Sequence, residues 1–414
     1  MPEPTLFVIL ALIAALYMAW TIGANDVANA MGTSVGSKAL TLGTAIIVAA
    51  VFEFSGAFFA GGQVTDTIKD EVVKLDVFAA NPHAIAVGML SALAAAGIWV
   101  HIATWRGWPV STSHSIVGAV AGFGLLIGGV GAVKWAVMGR IVASWVISPL
   151  LGAVVAWLLF TIVRRVVFRA EHPVLRARIV TPLTVGTVAL ILTLATIYKG
   201  LKNLNLNLPI GKALGISSLV GLAACGLAAL VARRWRPQVG SYAMEAQAVE
   251  KQFRYLQVVT ACYVAFAHGS NDAANAVGPM AAVLGSAGGA LAQGKVQTPA
   301  WMLAFGGFGI VLGLATYGYK VIYTIGSKIT EVTPSRGFVM EFATASVVLL
   351  GSKLGLPIST THIIIGAVIG VGFARGMAAL NTQIIAQIIW SWLVTLPASA
   401  TLAAILYALL IRFL

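Results

Sequence analysis

The polar residues with the clearest chemistry lie inside an apolar stretch that starts near Leu6 and contains no lysine or arginine. In its Gly-Ala-Asn-Asp-Val-Ala-Asn segment, Asn25 and Asp26 come four and three positions before Asn29, so a helix places all three side chains on one face. A carboxylate near the middle of a membrane helix costs about 2.5 to 3.5 kcal/mol and normally faces a cavity or a partner. Clustered oxygens in apolar surroundings suit a small cation, and a polar contact between two helices is the alternative.

A second copy of this stretch indicates that the chain contains a duplicated unit. The counterparts of the three polar residues are Asn271, Asp272 and Asn275. The motif Pro-Val-Ser-Thr-Ser-His at 109–114 recurs as Pro-Ile-Ser-Thr-Thr-His at 357–362, and a Ser-Trp pair at 144–145 recurs at 391–392. Because all three matches have nearly the same offset, of about 247 residues, they indicate an internal repeat.

The two Pro-x-Ser-Thr motifs predict helix starts that bind an anion. Proline ends a preceding helix and suits the first turn of the next, while serine and threonine are natural N-caps. Free backbone N–H groups, the positive end of the helix dipole and rotatable hydroxyls favour a tetrahedral oxyanion. Simple capping of a broken helix is the alternative, but duplication beside an acidic motif favours anion binding. The predicted anion ligands are Ser111, Thr112, Ser113, Ser359, Thr360 and Thr361.

Five further titratable residues lie in apolar surroundings, and four of them have two interpretations each. Glu53 and Glu341 are candidates for proton coupling, or structural acids bonded to a backbone carbonyl. His114 and His362, the last residues of the two anion motifs, either bond the substrate or pack and cap. His268 lies four positions before the second aspartate and pairs with it if charged.

The composition predicts a polytopic membrane protein. Of 414 residues, 59% are hydrophobic and only 9% are charged, which is too apolar for a soluble domain. The net charge of +13 comes largely from basic residues in connections near 164–178 and 233–254, which the positive-inside rule places in the cytoplasm. Since these residues form neither a stripe with aromatics nor a tail, nucleic acid is not an expected partner. We expect no cofactor, because Cys225 and Cys262 lie in different apolar segments without metal-ligand spacing.

About 12 apolar segments are long enough to cross, or nearly cross, a hydrocarbon core of about 30 Å. Those near 338 and 360 are short, so some segments are expected to be re-entrant hairpins. The segments are drawn at 5–30, 40–62, 84–104, 114–131, 135–162, 179–198, 210–232, 255–283, 300–325, 338–351, 360–374 and 382–411.

The number of segments predicts the topology and the domains. Five segments precede the first basic connection, so Met1 is expected outside, together with the acidic connection that contains Asp66 and Asp76. Seven segments separate the starts of the two copies, an odd number, so the copies enter the membrane from opposite sides. Such inverted repeats are an architecture of secondary transporters. The predicted domains are a first repeat at 1–165, a linker with two unpaired transmembrane helices at 166–250, and a second, inverted repeat at 251–414.

The two Asn-Asp stretches and the paired Pro-x-Ser-Thr-[Ser/Thr]-His motifs resemble the inorganic phosphate transporter (PiT) family. The resemblance covers both repeats, essentially the whole chain apart from the linker. It implies cation-coupled phosphate symport, with sodium or proton depending on the member, extracellular termini and commonly a homodimer. It also implies that Asp26 and Asp272 are essential, that Glu53 and Glu341 match the family's intramembrane glutamates, and that His268 matches the family's residue before the second Asn-Asp.

We therefore expect a symporter in the cell membrane that imports inorganic phosphate and is not an enzyme. Sodium is favoured at Asp26 and Asp272 because asparagine and hydroxyl oxygens lie beside each acid, while Glu53 and Glu341 leave protons as an alternative. A sulfate permease of the same fold is the second interpretation. A cation channel, with the paired aspartates as its filter, is a third.

Overall fold

The computed structural model describes residues 4–62, 65, 72–73, 82–197, 208–237, 240–287, 298–356, 358–376 and 380–414. Across these ranges the chain is helical, and the one β feature that they contain is an isolated bridge between Val73 and Val133. The expected all-α class is confirmed. The acidic connection with Asp66 and Asp76, and Pro357 of the second anion motif, lie outside the described residues.

The described residues form fourteen α-helices, numbered here in chain order. They are α1 (Pro4–Gly36), α2 (Leu42–Ala60), α3 (Pro82–Trp105), α4 (Thr112–Gly128), α5 (Trp135–Val163), α6 (Pro173–Ala195), α7 (Ile210–Arg234), α8 (Tyr242–Asp272), α9 (Ala274–Ala287), α10 (Ala300–Thr316), α11 (Tyr319–Tyr323), α12 (Pro334–Lys353), α13 (Thr360–Arg375) and α14 (Thr382–Leu410).

Seven of these helices are long and apolar enough to cross a membrane. An eighth span results if Ala300–Thr316 and Tyr319–Gly326, bent by 63° at a short break, cross as one. Two shorter apolar helices, α4 and α13, carry the anion motifs. The chain is a multi-pass membrane protein, as the composition predicts, whereas the number of about 12 segments stays a prediction.

Helix α1 of the first half crosses helix α10 of the second half at closely packed glycines. Where α1 crosses α10, a Cβ atom at Gly23 would lie 1.9 Å from the carbonyl oxygen of Ile310, and one at Gly313 would lie 1.9 Å from that of Trp20. Backbone therefore touches backbone, which is the way small residues bring membrane helices together. These contacts fix α1, and with it the first aspartate, against the second half.

The crossing of α2 with α8 repeats this arrangement with the halves exchanged. A Cβ atom at Gly56 would lie 2.0 Å from the carbonyl oxygen of Phe266, and one at Gly269 would lie 2.0 Å from that of Glu53. Gly269 follows His268 just as Gly23 follows Ile22 in the first copy. The two aspartate-bearing helices are thus held by equivalent contacts.

We expect Gly313→Ala to destabilise the protein strongly, because a methyl group 1.9 Å from a carbonyl oxygen forces α1 and α10 apart. Overpacking of this kind costs about 1 to 3 kcal/mol, and backbone offers no flexible atom that can move aside. Thermal unfolding of the purified protein measures the loss. Gly139→Ala on α5 is the matched control, since no atom lies within 4 Å of its added Cβ, and an equal loss in both variants would contradict the prediction.

Two hairpins, α3–α4 and α12–α13, present the anion motifs to the centre of the molecule. The turn of each hairpin contains a glycine with φ of 69°, at Gly107 and Gly355, a conformation that glycine adopts without a Cβ clash. The helix after each turn packs closely on the last helix of the other half. Gly118 of α4 lies against α14, and Gly366 of α13 lies against α5.

The connections on either side of the two middle helices are shorter than the sequence predicts. Arg176 and Arg178 belong to α6, which begins at Pro173, so most of the predicted 164–178 loop is helical. The predicted 233–254 loop likewise contains the start of α8, where the side chain of Ser241 accepts a hydrogen bond from the Met244 N–H group. Hydropathy marks where apolar character begins, and these charged helix ends extend beyond it. The segment predicted at 255–283 is also divided, between α8 and α9 at residue 273.

Candidate functional site

The two aspartates of the repeated motif meet in the core, on either side of His268. Asp26 and Asp272 are 1% and 0% exposed. The imidazole Nε2 of His268 lies 2.9 Å from Oδ2 of Asp272 and 4.0 Å from Oδ2 of Asp26. Since one ligand atom from each of the three residues lies within 4.8 Å of the others, both carboxylates face one small volume. The predicted contact between His268 and Asp272 is present.

Hydroxyl groups from both anion motifs donate to Asp26. Thr112, from the same half of the chain, donates to Oδ2 at 2.7 Å. Thr361, from the other half, donates to Oδ1 at 3.1 Å, and the Asn29 amide donates to the same oxygen at 2.9 Å. The carboxylate is therefore shared between the halves.

The surroundings of Asp272 repeat this pattern. Thr360, from the same half, donates to Oδ2 at 2.9 Å, and Ser113, from the other half, donates to Oδ1 at 3.5 Å. The amide groups of Asn271 and Asn275 donate to Oδ1 at 2.8 and 3.3 Å. Four of the six predicted anion-binding hydroxyls thus contact the two carboxylates.

The amide oxygens of Asn29 and Asn275 have no hydrogen-bond donor within the described part of the chain. Their Nδ2 groups fix the amide orientation, because each donates to an aspartate and to hydroxyls of the opposite hairpin. A buried amide oxygen without a donor is costly. Next to a carboxylate, such an oxygen is a ready ligand for a hard cation.

Asn25 and Asn271 hold the hairpin turns. The Asn25 amide donates to the Thr104 hydroxyl at 2.9 Å, and its oxygen accepts from the Val110 N–H group at 3.2 Å. The Asn271 amide donates to the Ile358 carbonyl at 2.8 Å. The structure thus gives both residues a positioning contact, while their predicted cation binding stays a prediction.

Ser111 and Ser359 cap the helices that follow the two turns. Each side-chain oxygen accepts a hydrogen bond at 3.2 Å from a backbone N–H group in the first helical turn, that of His114 or His362. Capping, the alternative interpretation of the motif, is therefore present at these two positions. The threonines and serine that follow them point at the aspartates instead.

His114 and His362 pack against each other, with their ring centroids 4.3 Å apart. A tryptophan covers the far side of each ring at 3.6 Å, Trp145 on His114 and Trp392 on His362. Both histidines are buried, and Nδ1 of His362 lies 3.2 Å from the Trp145 carbonyl oxygen. Of the two predicted roles, these contacts favour packing.

Glu53 lies on the far side of His268 from the aspartates. The imidazole Nδ1 is 3.2 Å from Oε1 of Glu53, and both residues are buried. Apart from this contact, the carboxylate has no donor among the described residues. His268 therefore connects Glu53 to both aspartates.

Glu341 lies in a separate polar cluster, which the sequence did not reveal. Thr33 and Ser34 each donate to Oε1 at 2.7 Å, and Gln257 donates to it at 3.1 Å. Thr260 donates to Oε2 at 2.7 Å. Side-chain donors, instead of the expected backbone carbonyl, surround this acid and join α1, α8 and α12. Each donor alone is an ordinary polar residue in a helix, so only the three-dimensional contacts identify them as a set.

The helical membrane fold and the buried site define a class of protein. Two acids, two asparagine oxygens and the hydroxyls of two broken helices face one polar volume between the halves of the chain. Polar sites at the meeting point of interrupted helices are typical of secondary transporters. The class is that of membrane transporters.

Comparisons with known proteins define the family. A model described as "Phosphate transporter family" matches residues 22–403. "Inorganic phosphate transporter 2-1, chloroplastic" of Arabidopsis thaliana is 45% identical over 95% of this chain and 70% of its own length. A protein of Pyrococcus horikoshii that carries the name of a phosphate permease is 45% identical over 98% of both chains. The chain belongs to the phosphate transporter family, as its motifs indicate, and the family transports and does not catalyse a reaction.

A solved structure extends this likeness to the fold. The protein named "The sodium-dependent phosphate transporter" has a TM-score of 0.91 and 39% sequence identity to this chain. The match covers 99% of this chain and 100% of the other.

Proposed function

We propose that the protein imports inorganic phosphate together with sodium. The observation that carries the proposal is the pair of donor-free amide oxygens, on Asn29 and Asn275, each beside an aspartate that the other half also contacts. Neutral amide and hydroxyl oxygens around a carboxylate suit sodium, a hard cation that prefers oxygen ligands. The named sodium dependence of the similar solved structure supports this choice.

The hydrogen bonds favour an order in which the cation binds first. Four hydroxyls of the anion motifs donate to the aspartates, those of Thr112, Ser113, Thr360 and Thr361. While these hydrogen bonds persist, the hydroxyls do not donate to an anion. Cations that bind the carboxylates compete for the same oxygens and release these hydroxyls toward the anion. They also supply the positive charge without which burial of an oxyanion is prohibitive. In this scheme the helix starts at 112 and 360 hold phosphate, and Asn25 and Asn271 support the cation sites.

We further propose that residues 1–165 and 251–414 are inverted repeats and that 166–250 is an inserted pair of helices. The equivalent glycine crossings and the equivalent aspartate contacts support the duplication. Arg164 donates to the Ala374 carbonyl and Arg375 contacts Glu331, which gathers the basic ends of α5 and α13 on one side. The positive-inside rule makes that side cytoplasmic, with both termini outside. The 12 segments of this arrangement are eight crossings and two hairpins of two helices each. The crossings are α1, α2, α5, α6, α7, α8 with α9, α10 with α11, and α14, and the hairpins are α3–α4 and α12–α13.

A plasma-membrane homodimer completes the proposal. The resemblance to the family supports the dimer, and cross-linking in native membranes tests it. Single-cysteine labelling from either side of the cell tests the orientation of the termini.

Uptake into proteoliposomes with sodium and pH gradients imposed separately tests the coupling ion. We expect transient accumulation of labelled phosphate above equilibrium with an inward sodium gradient, and only equilibration with a pH gradient in sodium-free buffer. Accumulation driven by a pH gradient alone would show that the proton, and not sodium, is the coupling ion. The candidate proton path is then the row of contacting side chains Glu53, His268 and Asp272. Excess sulfate should leave uptake unchanged, and full competition by sulfate would favour the sulfate permease. Flux that never exceeds equilibrium would favour a channel.

A further inference from the structure

A cavity of about 330 Å³, open to the surface of the protein, lies between α5 and the α12–α13 hairpin, outside the transport site. Its walls are mainly apolar and include Val347, Leu350 and Ile358. Three residues of α5 add polar atoms: Ser148, Ser144, whose hydroxyl donates to the Ile141 carbonyl, and Arg140, two helical turns before Ser148. The Ser148 residue is 4% exposed, and its hydroxyl has no hydrogen-bond partner among the described residues.

The other half of the chain shows what fills the equivalent space. Trp99 lies eight positions before Gly107, as Val347 lies eight positions before Gly355 in the second hairpin. Thr395 lies three positions after its Ser-Trp pair, as Ser148 does after the first pair. The Trp99 indole N–H group donates to the Thr395 hydroxyl at 3.0 Å. In the second hairpin the smaller Val347 stands where the first hairpin has Trp99, which leaves the cavity. The hydroxyl of Ser148, equivalent to that of Thr395, therefore lacks the indole N–H donor.

Arg140 makes the cavity favour a ligand with a negative charge. Arg140 lies four positions before the serine of the first Ser-Trp pair, and its counterpart four positions before the serine of the second pair is Gln387; both side chains are exposed. Arginine binds carboxylates through paired hydrogen bonds, whereas glutamine carries no charge. Of the two equivalent places, the one beside α5 has a cation at its edge, and the one beside α14 has a neutral amide.

We propose that this cavity is a binding site for a small amphipathic acid with a flat heteroaromatic body. The ring takes the volume that Trp99 occupies in the other half, its N–H group donates to Ser148, and its acid group binds Arg140. No side chain of the site contacts Asp26 or Asp272 through the bonds described above, although the carbonyl of Ile358, one of its wall residues, accepts from the Asn271 amide.

Equilibrium binding of labelled indole-3-propionate to the purified, delipidated full-length protein tests the proposal, with indole-3-propionamide as the neutral comparison. We expect saturable binding of one molecule per chain. Val347→Trp, which fills the cavity with the chain's own indole, should weaken binding at least about tenfold. Ser148→Ala should weaken it by about two- to twelvefold, the usual range for one lost hydrogen bond. Arg140→Gln should remove the preference for the acid over the amide.

A substitution in the first half should create a second binding site and so serves as the matched comparison. Trp99→Val should open the equivalent cavity beside Thr395 and add a second site that takes acid and amide equally, because Gln387 replaces the arginine there. Unsaturable binding, or equal binding by wild type, Val347→Trp and Ser148→Ala, would overturn the proposal. The proposal is also wrong if the delipidated protein does not bind indole-3-propionate and if, in addition, mass spectrometry finds an acidic lipid that copurifies with wild type but not with Val347→Trp. The occupant is then a lipid.

Discussion

Sodium-driven phosphate uptake is expected to fall at least about 100-fold in Asp26→Asn and in Asp272→Asn. Asparagine preserves the shape of each side chain but removes the charge that binds the cation. If its amide N–H group faces Thr112 or Thr360, that hydroxyl must accept a hydrogen bond where it now donates one. Removing one partner of a buried charged pair costs about 3 to 5 kcal/mol, which corresponds to more than a 100-fold loss.

Reconstituted protein, with initial rates measured under an imposed sodium gradient, provides the measurement. Both variants should retain a monodisperse profile and bind less sodium, so that loss of transport is separated from loss of folding. Glu331→Gln is the control, because this acid is 75% exposed and contacts only Arg336 and Arg375 by ion pairs among the described residues. Normal accumulation by either aspartate variant would refute the cation site.

The repeated motifs predict which side chains meet, but not how they share the site. Spacing alone places Asn25, Asp26 and Asn29 on one face, and the duplication predicts that their counterparts join them. Spacing cannot show that Thr361 reaches the aspartate of the other half, because that contact depends on the glycine crossings. Contacts within one motif follow from the sequence, whereas contacts between halves follow from helix packing.

Because spacing does not predict contacts between helices, the sequence also left the roles of some residues open. Asn25 looks equivalent to Asn29 on a helical face. Its amide N–H group, however, donates to Thr104, and its amide oxygen accepts from Val110, so both are bonded to the first hairpin. Glu341 looks equivalent to Glu53, since both are single acids in apolar segments. The structure separates them, because four side-chain donors surround Glu341 and a histidine contacts Glu53.

The pair of Glu53 and His268 is present at only one of the two equivalent helix crossings. At the α2–α8 crossing, Gly269 lies against the carbonyl of Glu53, and at the α1–α10 crossing, Gly23 lies against that of Ile310. The residue before each of these glycines is His268 or Ile22. Ile22 and Ile310 thus occupy the positions that His268 and Glu53 occupy at the other crossing, so the fold accepts an apolar pair there.

We expect His268→Ile to destabilise the protein by about 3 to 5 kcal/mol, because it leaves Glu53 buried without its one partner and removes a contact from Asp272. The double variant Glu53→Ile/His268→Ile should regain most of that stability, since an apolar pair replacing a buried ion pair is often neutral. Thermal unfolding of the two single variants and the double variant gives the coupling between the residues.

Phosphate uptake by the double variant distinguishes a structural pair from a functional one. Because His268 lies 2.9 Å from Asp272 and also contacts Glu53, its removal leaves the second carboxylate without its imidazole neighbour even when folding is restored. Uptake should therefore remain low in a stable double variant, and its dependence on sodium concentration should change. A double variant with normal uptake would make the pair a packing feature, and strictly additive losses of stability would show that the two residues do not act together.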